Sequence, residues 1–553
     1  MCGITGIVNY NLDPFVLRER ALKMSALLAH RGPDDAGIWS DPAVSLAHRR
    51  LSLLDTRNGG QPMCSFNRRY SIVYNGEVYN FRELRQEIGG FFETDCDTEV
   101  ILRAYEKWGV SCLSRLNGMF SFFIWDSQKM EGFAARDLLG VKPFLYRFED
   151  EEFSFASEAK ALLAKAPKVN HEAILEYLVA PCFSGVSQAP FRGIEVLPAG
   201  HFLMISQKGV KVSQWGDCFD SIGSETNTPD LRKAIVKAVE RTMVADYPVC
   251  SYMSGGLDST LISAIARPER CYSVQFEGHK RFDEESSQIV ISDDLPFARL
   301  AAEELGLKQE VVTVKDDSLR ERLRRISINN DLLPAWEQEV AQDALAAVAS
   351  SEFKAVLVGD AADETHYGYH FLLDASSPAE MLERVAFAPI RRSLLDQPVE
   401  YFSEKYQREV SNNTRLIVKR WLPRLLHNGD IHAMAYGLEA RVPFADVDLI
   451  HLAELVSPKV ARHKQHLRGC VQGLLPELVR KRKKSALPKA PSGWEVYREI
   501  LKTQFMDVAE CWVEMDELVS IMNQETLTER EQGLAFRLSA LGYWVEHYSV
   551  SLV

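Results

Sequence analysis

A cysteine stands directly after the initiator methionine in MCGITGIVNY, and once that methionine is removed Cys2 carries a thiol and a free α-amine on one residue. The amine, with a reference pKa of about 8, can take the thiol proton at neutral pH, so the nucleophile has its base attached. A cysteine near a terminus is by itself more often apolar filler, and the reading depends on its company. Cleaving an unactivated amide also needs an oxyanion hole and groups that hold both ends of the substrate. HRGPD (30–34) is a turn-rich loop, and AHRRLSLLD (47–55) presents Arg50. YNGEVYN (74–80) puts Asn75 and Gly76 at a strand-breaking turn, where a side-chain amide and a backbone N–H can point the same way. TDCDTEV (94–100) opens a helix with Asp97 near its first turn.

A second constellation suits phosphate. YMSGGLDSTLISAIA (252–266) reads as apolar strand, glycine-rich turn and amphipathic helix. Gly255 and Gly256 let the backbone approach an anion, the helix N-terminus adds N–H donors, and Ser254 and Ser259 add hydroxyls. VLVGDAADE (356–364) ends another strand with three more carboxylates, Asp360, Asp363 and Glu364. Glu439 and Arg441 in GLEARVPF (437–444), with Lys464 and Arg468 in RHKQHLRGCVQGLLP (462–476), are expected where phosphate charge needs neutralising. The run RKRKKSALP (480–488) reads as a solvated basic face that could also close over this site.

The elements that must position these groups differ along the chain. Up to about residue 205 short β segments (GITGIVNY, VSLAHRRLSLLD, YSIVYNGEVYN, MFSFFIWD, GFAARDLLG, PFLYRF, EFSFAS, GHFLMIS) are broken by turn residues. Two stretches of helical spacing interrupt them, VLRERALKMSALLAH and DTEVILRAYEKWG. This predicts an α+β part built on stacked antiparallel sheets. After the polar stretch 216–230, apolar runs (VCSYMS, CYSVQF, QEVVTV, KAVLVGD) alternate with helices, which predicts a parallel sheet with ligands at the strand C-terminal ends. From about residue 370 the chain reads as helical, without repeats or low-complexity tracts. The expected domains are 1–215 and 228–553.

Composition narrows the partners. At 553 residues, 46% hydrophobic and 25% charged, the chain is ordinary globular protein. A net charge of −13 disfavours nucleic acid and anionic membranes, so small-molecule substrates are expected. The ten cysteines include no CxxC pair, which argues against a zinc site or a disulfide framework and for reducing cytoplasm. No segment reads as a transmembrane span or a signal peptide.

The order Cys2, HRGPD, Arg-Leu-Ser, Asn-Gly-Glu, Asp resembles the N-terminal-nucleophile glutamine amidotransferase domain. SGGLDS resembles the pyrophosphate loop of the ATP pyrophosphatases, and both halves together, to about residue 490, are similar to the glutamine-hydrolysing asparagine synthetase family. The resemblance implies that Cys2 is the nucleophile, that Asn75 and Gly76 form the oxyanion hole, and that Arg50, Leu51, Leu53, Glu77 and Asp97 bind glutamine. It implies an ATP site at Tyr252, Ser254, Gly255, Gly256, Leu257, Asp258, Ser259, Val274, Gly359 and Lys464, with Mg²⁺ on Asp258 and Asp363 and Asp360 as base for ammonia. ATP and Mg²⁺ are the implied cofactors. Glutamine, ATP and a carboxylate acceptor are the implied substrates, and a homodimer is left open.

The resemblance breaks where the acceptor would bind. Asparagine synthetases carry a Thr-Thr-x-Arg-Ala-Ser-Thr-Pro type segment implicated in holding aspartate; the matching place reads INNDLLPAWEQEVAQDA (328–344). Asp331 remains, Leu333-Pro334 replaces the threonines, and Trp336 stands where arginine is expected. An indole offers one neutral donor and cannot replace a guanidinium that grips a carboxylate with two. The acidic strand reads GDAADE where Gly-Glu-Gly-Ser-Asp-Glu is usual. The expectation is an amide-forming enzyme whose acceptor is a bulkier or less polar carboxylate than aspartate, met by Asp331, Trp336 and Glu364. Ordinary asparagine synthesis is the first alternative. Ring closure of the β-lactam-synthetase kind and a non-enzymatic regulator are further ones, disfavoured by the intact thiol and metal aspartates.

Overall fold

The computed structural model describes residues 2–219, 230–278, 293–385, 387–409, 412–456, 461–485 and 487–552. Met1 and most of the expected boundary stretch, 220–229, lie outside the described residues.

The strand Cys2–Val8 is buried at every position because it runs inside a six-stranded antiparallel sheet, between Val44–Arg50 and Glu152–Ala156. A second six-stranded antiparallel sheet sets Tyr70–Val78 beside Gly118–Asp126. The two sheets meet through aromatic rings: Phe123 of the second lies 4.6 Å from Phe155 of the first. Gly6 makes room for this layer, since a Cβ there would stand 2.5 Å from the Phe155 ring. The two expected helices form as Pro14–Ala26, capped by the Asp13 carboxylate, and Asp97–Trp108. Strands Asp35–Asp41 and Gly209–Gln214 and helices Phe81–Ile88 and His171–Val179 form as well, from segments that gave no clear periodicity.

The later part holds a parallel sheet in the spatial order Gln309–Val314, Cys271–Phe276, Val249–Tyr252, Ala355–Leu357, Glu439–Arg441. In chain order this is third, second, first, fourth, fifth, so the direction of winding reverses between Val249–Tyr252 and Ala355–Leu357. A crevice opens at the C-terminal ends of such a strand pair. SGGLDS and GDAADE leave from those two ends.

The largest hydrophobic cluster takes in side chains of both parts, among them Leu51, Met119, Tyr177 and Phe183 from the first and Leu257, Leu333, Val442 and Trp544 from the second. All ten cysteines are free thiols. Among the described residues no helix is long and apolar enough to cross a membrane.

Candidate active sites

Antiparallel register makes Cys2 the cross-strand partner of Arg50. Cys2 is buried, and the backbone N–H of Leu51 donates to its sulfur. Burial pushes the thiol pKa up, while the chain's amino terminus, the Leu51 N–H and Arg50 pull it back. The backbone nitrogen of Cys2 donates to Asn75 Oδ1 at 3.0 Å, which leaves the buried Asn75 Nδ2 as a donor without a partner. Next to it Gly76 has φ +155°, and a Cβ there would stand 2.1 Å from the Met119 carbonyl oxygen. An amide nitrogen and a backbone N–H beside a sulfur nucleophile are the parts that stabilise a tetrahedral oxyanion. An Asn75→Ala variant is expected to lose about 10²–10³-fold in glutaminase kcat, read as glutamate release.

Of the groups expected to hold glutamine, Arg50 stands directly opposite Cys2. The Arg50 guanidinium is clasped by the carbonyls of Leu54 (3.1 Å), Asp55 (2.8 Å) and Thr56 (3.3 Å), which fixes its plane. Leu51 and Leu53 are buried. Asp97 Oδ2 accepts from the Tyr74 hydroxyl at 2.7 Å and from the Val78 N–H at 2.9 Å. Glu77 is buried 3.2 Å from Arg441 Nη2; burial raises its pKa and Arg441 opposes the rise.

At the crevice of the parallel sheet, Gly255 has φ +74°, and a Cβ there would stand 2.3 Å from the Ala298 nitrogen. Gly256 caps the helix Leu257–Ala266. The hydroxyls of Ser254 and Ser259 lie 3.0 Å apart, and the Ser254 N–H donates to Ser259 Oγ at 3.1 Å, so the loop is preformed. Gly359 closes against it: a Cβ there would stand 3.2 Å from the Ser259 nitrogen. Val274 and Leu257 are buried, and the Tyr252 hydroxyl is buried without a partner.

Lys464 Nζ stands 2.5 Å from Asp258 Oδ2 and 2.5 Å from Asp363 Oδ1, while Lys484 Nζ stands 2.5 Å from Asp363 Oδ2. Burial pushes the Asp363 carboxyl up, but Lys464 and Lys484 outweigh it and hold the group well below the usual carboxylate range. Asp258 Oδ1 is buried without a hydrogen-bond partner. Two facing carboxylates with an orphan oxygen, drawn together by cations, fit a Mg²⁺ held by two side chains and completed by phosphate oxygens. Burial raises Asp360 to about 6, opposed by Lys484, and raises Glu364 to about 7 with help from Asp363.

The two centres are joined by buried charge. Arg31 Nε donates to the Cys2 carbonyl at 3.1 Å, its Nη1 to Glu158 at 2.9 Å and its Nη2 to Asp430 at 2.8 Å. Lys142 Nζ also reaches Asp430, at 3.3 Å. The neighbouring Gly429 lies against Asp360, since a Cβ on it would stand 3.4 Å from Asp360 Oδ2. The helix Leu422–Met434 therefore has one end of this network at the thiol strand and the other at the acidic strand.

Comparison with known proteins bears on both centres. Residues 1–216 match the glutamine amidotransferase domain model, and residues 230–512 match the asparagine synthase model. Asparagine synthetase [glutamine-hydrolyzing] 3 of Bacillus subtilis (strain 168) is 31% identical over 559 aligned residues, covering 91% of this chain and 90% of that protein. The chain belongs to the asparagine synthase family. Asparagine synthetase B [glutamine-hydrolyzing] of Escherichia coli (strain K12) is 29% identical, covering 88% of this chain and 81% of that protein. As a family member the protein is a glutamine-hydrolysing carbon–nitrogen ligase that uses ATP and forms AMP.

Within this asparagine synthase frame, several residues stand elsewhere than their sequence suggests. Arg441 and Glu439, expected near phosphate, instead pair with each other at 2.5 Å and, through Arg441, with Glu77; the strand Glu439–Arg441 carries them to the edge of the sheet facing the glutaminase part. The 480–488 run is only partly a solvated face: Arg482 is buried on Asp294 at 2.6 Å, and Lys484 reaches Asp363. Asp331 is fully buried and accepts from the Ala159 N–H, so its carboxylate turns toward Glu158. Trp336 stacks on Trp421 at 5.9 Å, and Tyr369 lies 5.2 Å from Trp421. Sequence reasoning missed Gly368, where a Cβ would stand 1.8 Å from Asp363 Oδ1 and 2.7 Å from Lys464 Cε. It also missed Arg31 as a link and Lys142 and Asp430 altogether; a buried ion network between distant segments leaves no local pattern.

Proposed function

We propose that the protein forms an amide on a carboxylate other than free aspartate. The thiolate of Cys2 attacks the glutamine carboxamide, ammonia leaves, and water hydrolyses the thioester to glutamate. At the other centre an acceptor carboxylate oxygen attacks the α-phosphorus of ATP, the bond to the β-phosphate oxygen breaks, and pyrophosphate leaves. Ammonia then adds to the acyl carbon and AMP departs. Mg²⁺ bound at Asp258 and Asp363 would neutralise phosphate charge during the activation. Lys464 holds the departing pyrophosphate, and the Asp360 carboxylate takes a proton from the incoming amine. The chain Arg31, Asp430, Gly429 supports an enclosed route for ammonia from Cys2 to Asp360, which keeps it from protonation and loss to water.

The observation that carries the acceptor reading is the state of the segment 330–339. Its turn is locked by Glu339, whose carboxylate accepts from Asn330, Asn428, His432 and the N–H groups of Ala335 and Trp336. Trp336 faces aromatic rings, and the neighbouring Arg424 donates to the carbonyls of Leu332 and Leu333. A second carboxylate, as in aspartate, meets an indole where a guanidinium fork would be needed. The names of the relatives favour ordinary asparagine synthesis as the alternative. The test is pyrophosphate release from Mg-ATP with ammonium chloride over a panel of carboxylates that includes aspartate and aromatic and aliphatic acids. A larger acid is expected to exceed aspartate by about 10²-fold in kcat/KM, the scale of losing a charged hydrogen-bonded anchor. Aspartate as the best substrate would remove the proposal and leave asparagine synthesis.

A further inference from the structure

Two histidines beside the phosphate centre have no part in the chemistry above. His366 closes the short helix Ala362–Thr365 that carries Asp363, and it is fully buried. His466 lies in the helix Gln465–Cys470, two residues after Lys464. Their rings are hydrogen-bonded, His366 Nδ1 to His466 Nε2, at 3.0 Å, and the Phe444 ring stands edge-on to His366 at 5.7 Å. With the proton on His366 Nδ1, His366 donates and His466 Nε2 accepts.

The turn directly before His466 is strained. His463 has φ +56° and Lys464 φ +59°, so two consecutive residues with side chains hold left-handed backbone. Arg468 Nε donates to the His463 carbonyl at 3.0 Å and braces the turn from one side. From the other side the two imidazoles bind it to the helix of Asp363. The strained conformation is what aims Lys464 Nζ between Asp258 and Asp363.

We propose that the His366–His466 hydrogen bond is a latch that holds the Lys464 turn in place, which makes both histidines positioning residues for pyrophosphate. This rests on the reading of Lys464 as the pyrophosphate-holding group. An apolar side chain at either position fills similar space but cannot bridge the two elements, so the turn relaxes and the ammonium leaves its place.

The probe is inorganic pyrophosphate with Mg²⁺, titrated calorimetrically into the full-length protein, so that no acceptor is needed. Lys464→Ala tests the site itself and is expected to weaken binding by about 10²-fold, as loss of a charged contact does. His466→Leu and His366→Phe are each expected to weaken it about tenfold, the scale of one neutral hydrogen bond. The double variant is expected to be no weaker than either single one, because both remove the same bond. His466→Gln, which can still accept from His366, is expected to restore affinity to within about threefold of wild type. Glutamate release from glutamine is expected to stay unchanged in all of them. Wild-type protein that does not bind the probe, or Lys464→Ala that binds as tightly, overturns the site reading and the latch with it. Weak binding by Lys464→Ala alone, with the histidine variants like wild type, overturns only the latch. Additive losses in the double variant overturn it as well.

Discussion

Replacing Cys2 with alanine is expected to lower glutamine-driven amide formation by about 10⁴-fold or more, while ammonium-driven formation stays within about twofold of wild type. The sulfur is a nucleophile able to form a covalent acyl intermediate; Asn75, Gly76 and Arg50, proposed to bind and polarise the substrate, cannot attack. Cys2 also makes contacts through the backbone, as donor to Asn75 and acceptor from Arg31, and alanine keeps both while losing only the Leu51 N–H bond to the sulfur. The strand register and the parallel-sheet centre are therefore left intact. The check is a pair of assays on one preparation, glutamate release from glutamine and pyrophosphate release with ammonium and the acceptor found by the carboxylate panel. Equal loss in both would mean that the variant disturbs the fold or that the second centre depends on the thiol.

The converse result is expected from Gly368→Ala: glutamate release near wild type, and ATP-dependent pyrophosphate release down by about 10²-fold, the cost of displacements of about 1 Å at reacting groups. The added Cβ would stand 1.8 Å from Asp363 Oδ1 and 2.7 Å from Lys464 Cε. Both atoms are side-chain ends, so they can move aside and the protein still folds. What moves, however, is the carboxylate expected to hold the metal and the ammonium expected to hold pyrophosphate. Substitution of Gly60, where a Cβ would meet nothing within 4 Å, serves as the control and is expected to be silent. A Gly368→Ala enzyme with normal pyrophosphate release would show that Asp363 and Lys464 do not act from the positions they hold.

Much of this was legible in the sequence, for a physical reason that differs between the two centres. SGGLDS and GDAADE are local: strand, turn and helix start are contiguous, and the turn residues themselves report the backbone the loop needs. The thiol centre was legible because Cys2, Arg50, Asn75 and Asp97 occur in a recognisable order, although only the sheet register brings Cys2 opposite Arg50. What stayed hidden is non-local. Arg441 looks like a phosphate ligand by charge and place in the chain, and only the pairing of Ala355–Leu357 with Glu439–Arg441 shows that it faces Glu77. The strand Asp35–Asp41 carries charge at both ends and no clear alternation, so its place at the sheet edge could not be read from its residues. Gly368 requires the positions of two side chains that it touches only in space.

The hydrophobic cluster shared by the two parts limits how the molecule can breathe. Swinging them apart as rigid bodies would wet Leu51, Met119, Phe183, Leu333 and Val442 together, at about 25 cal/mol for each Å² of apolar surface uncovered. A hinge between them is therefore a poor doorway. Any opening that avoids that cost has to be local, leaving the common wall closed.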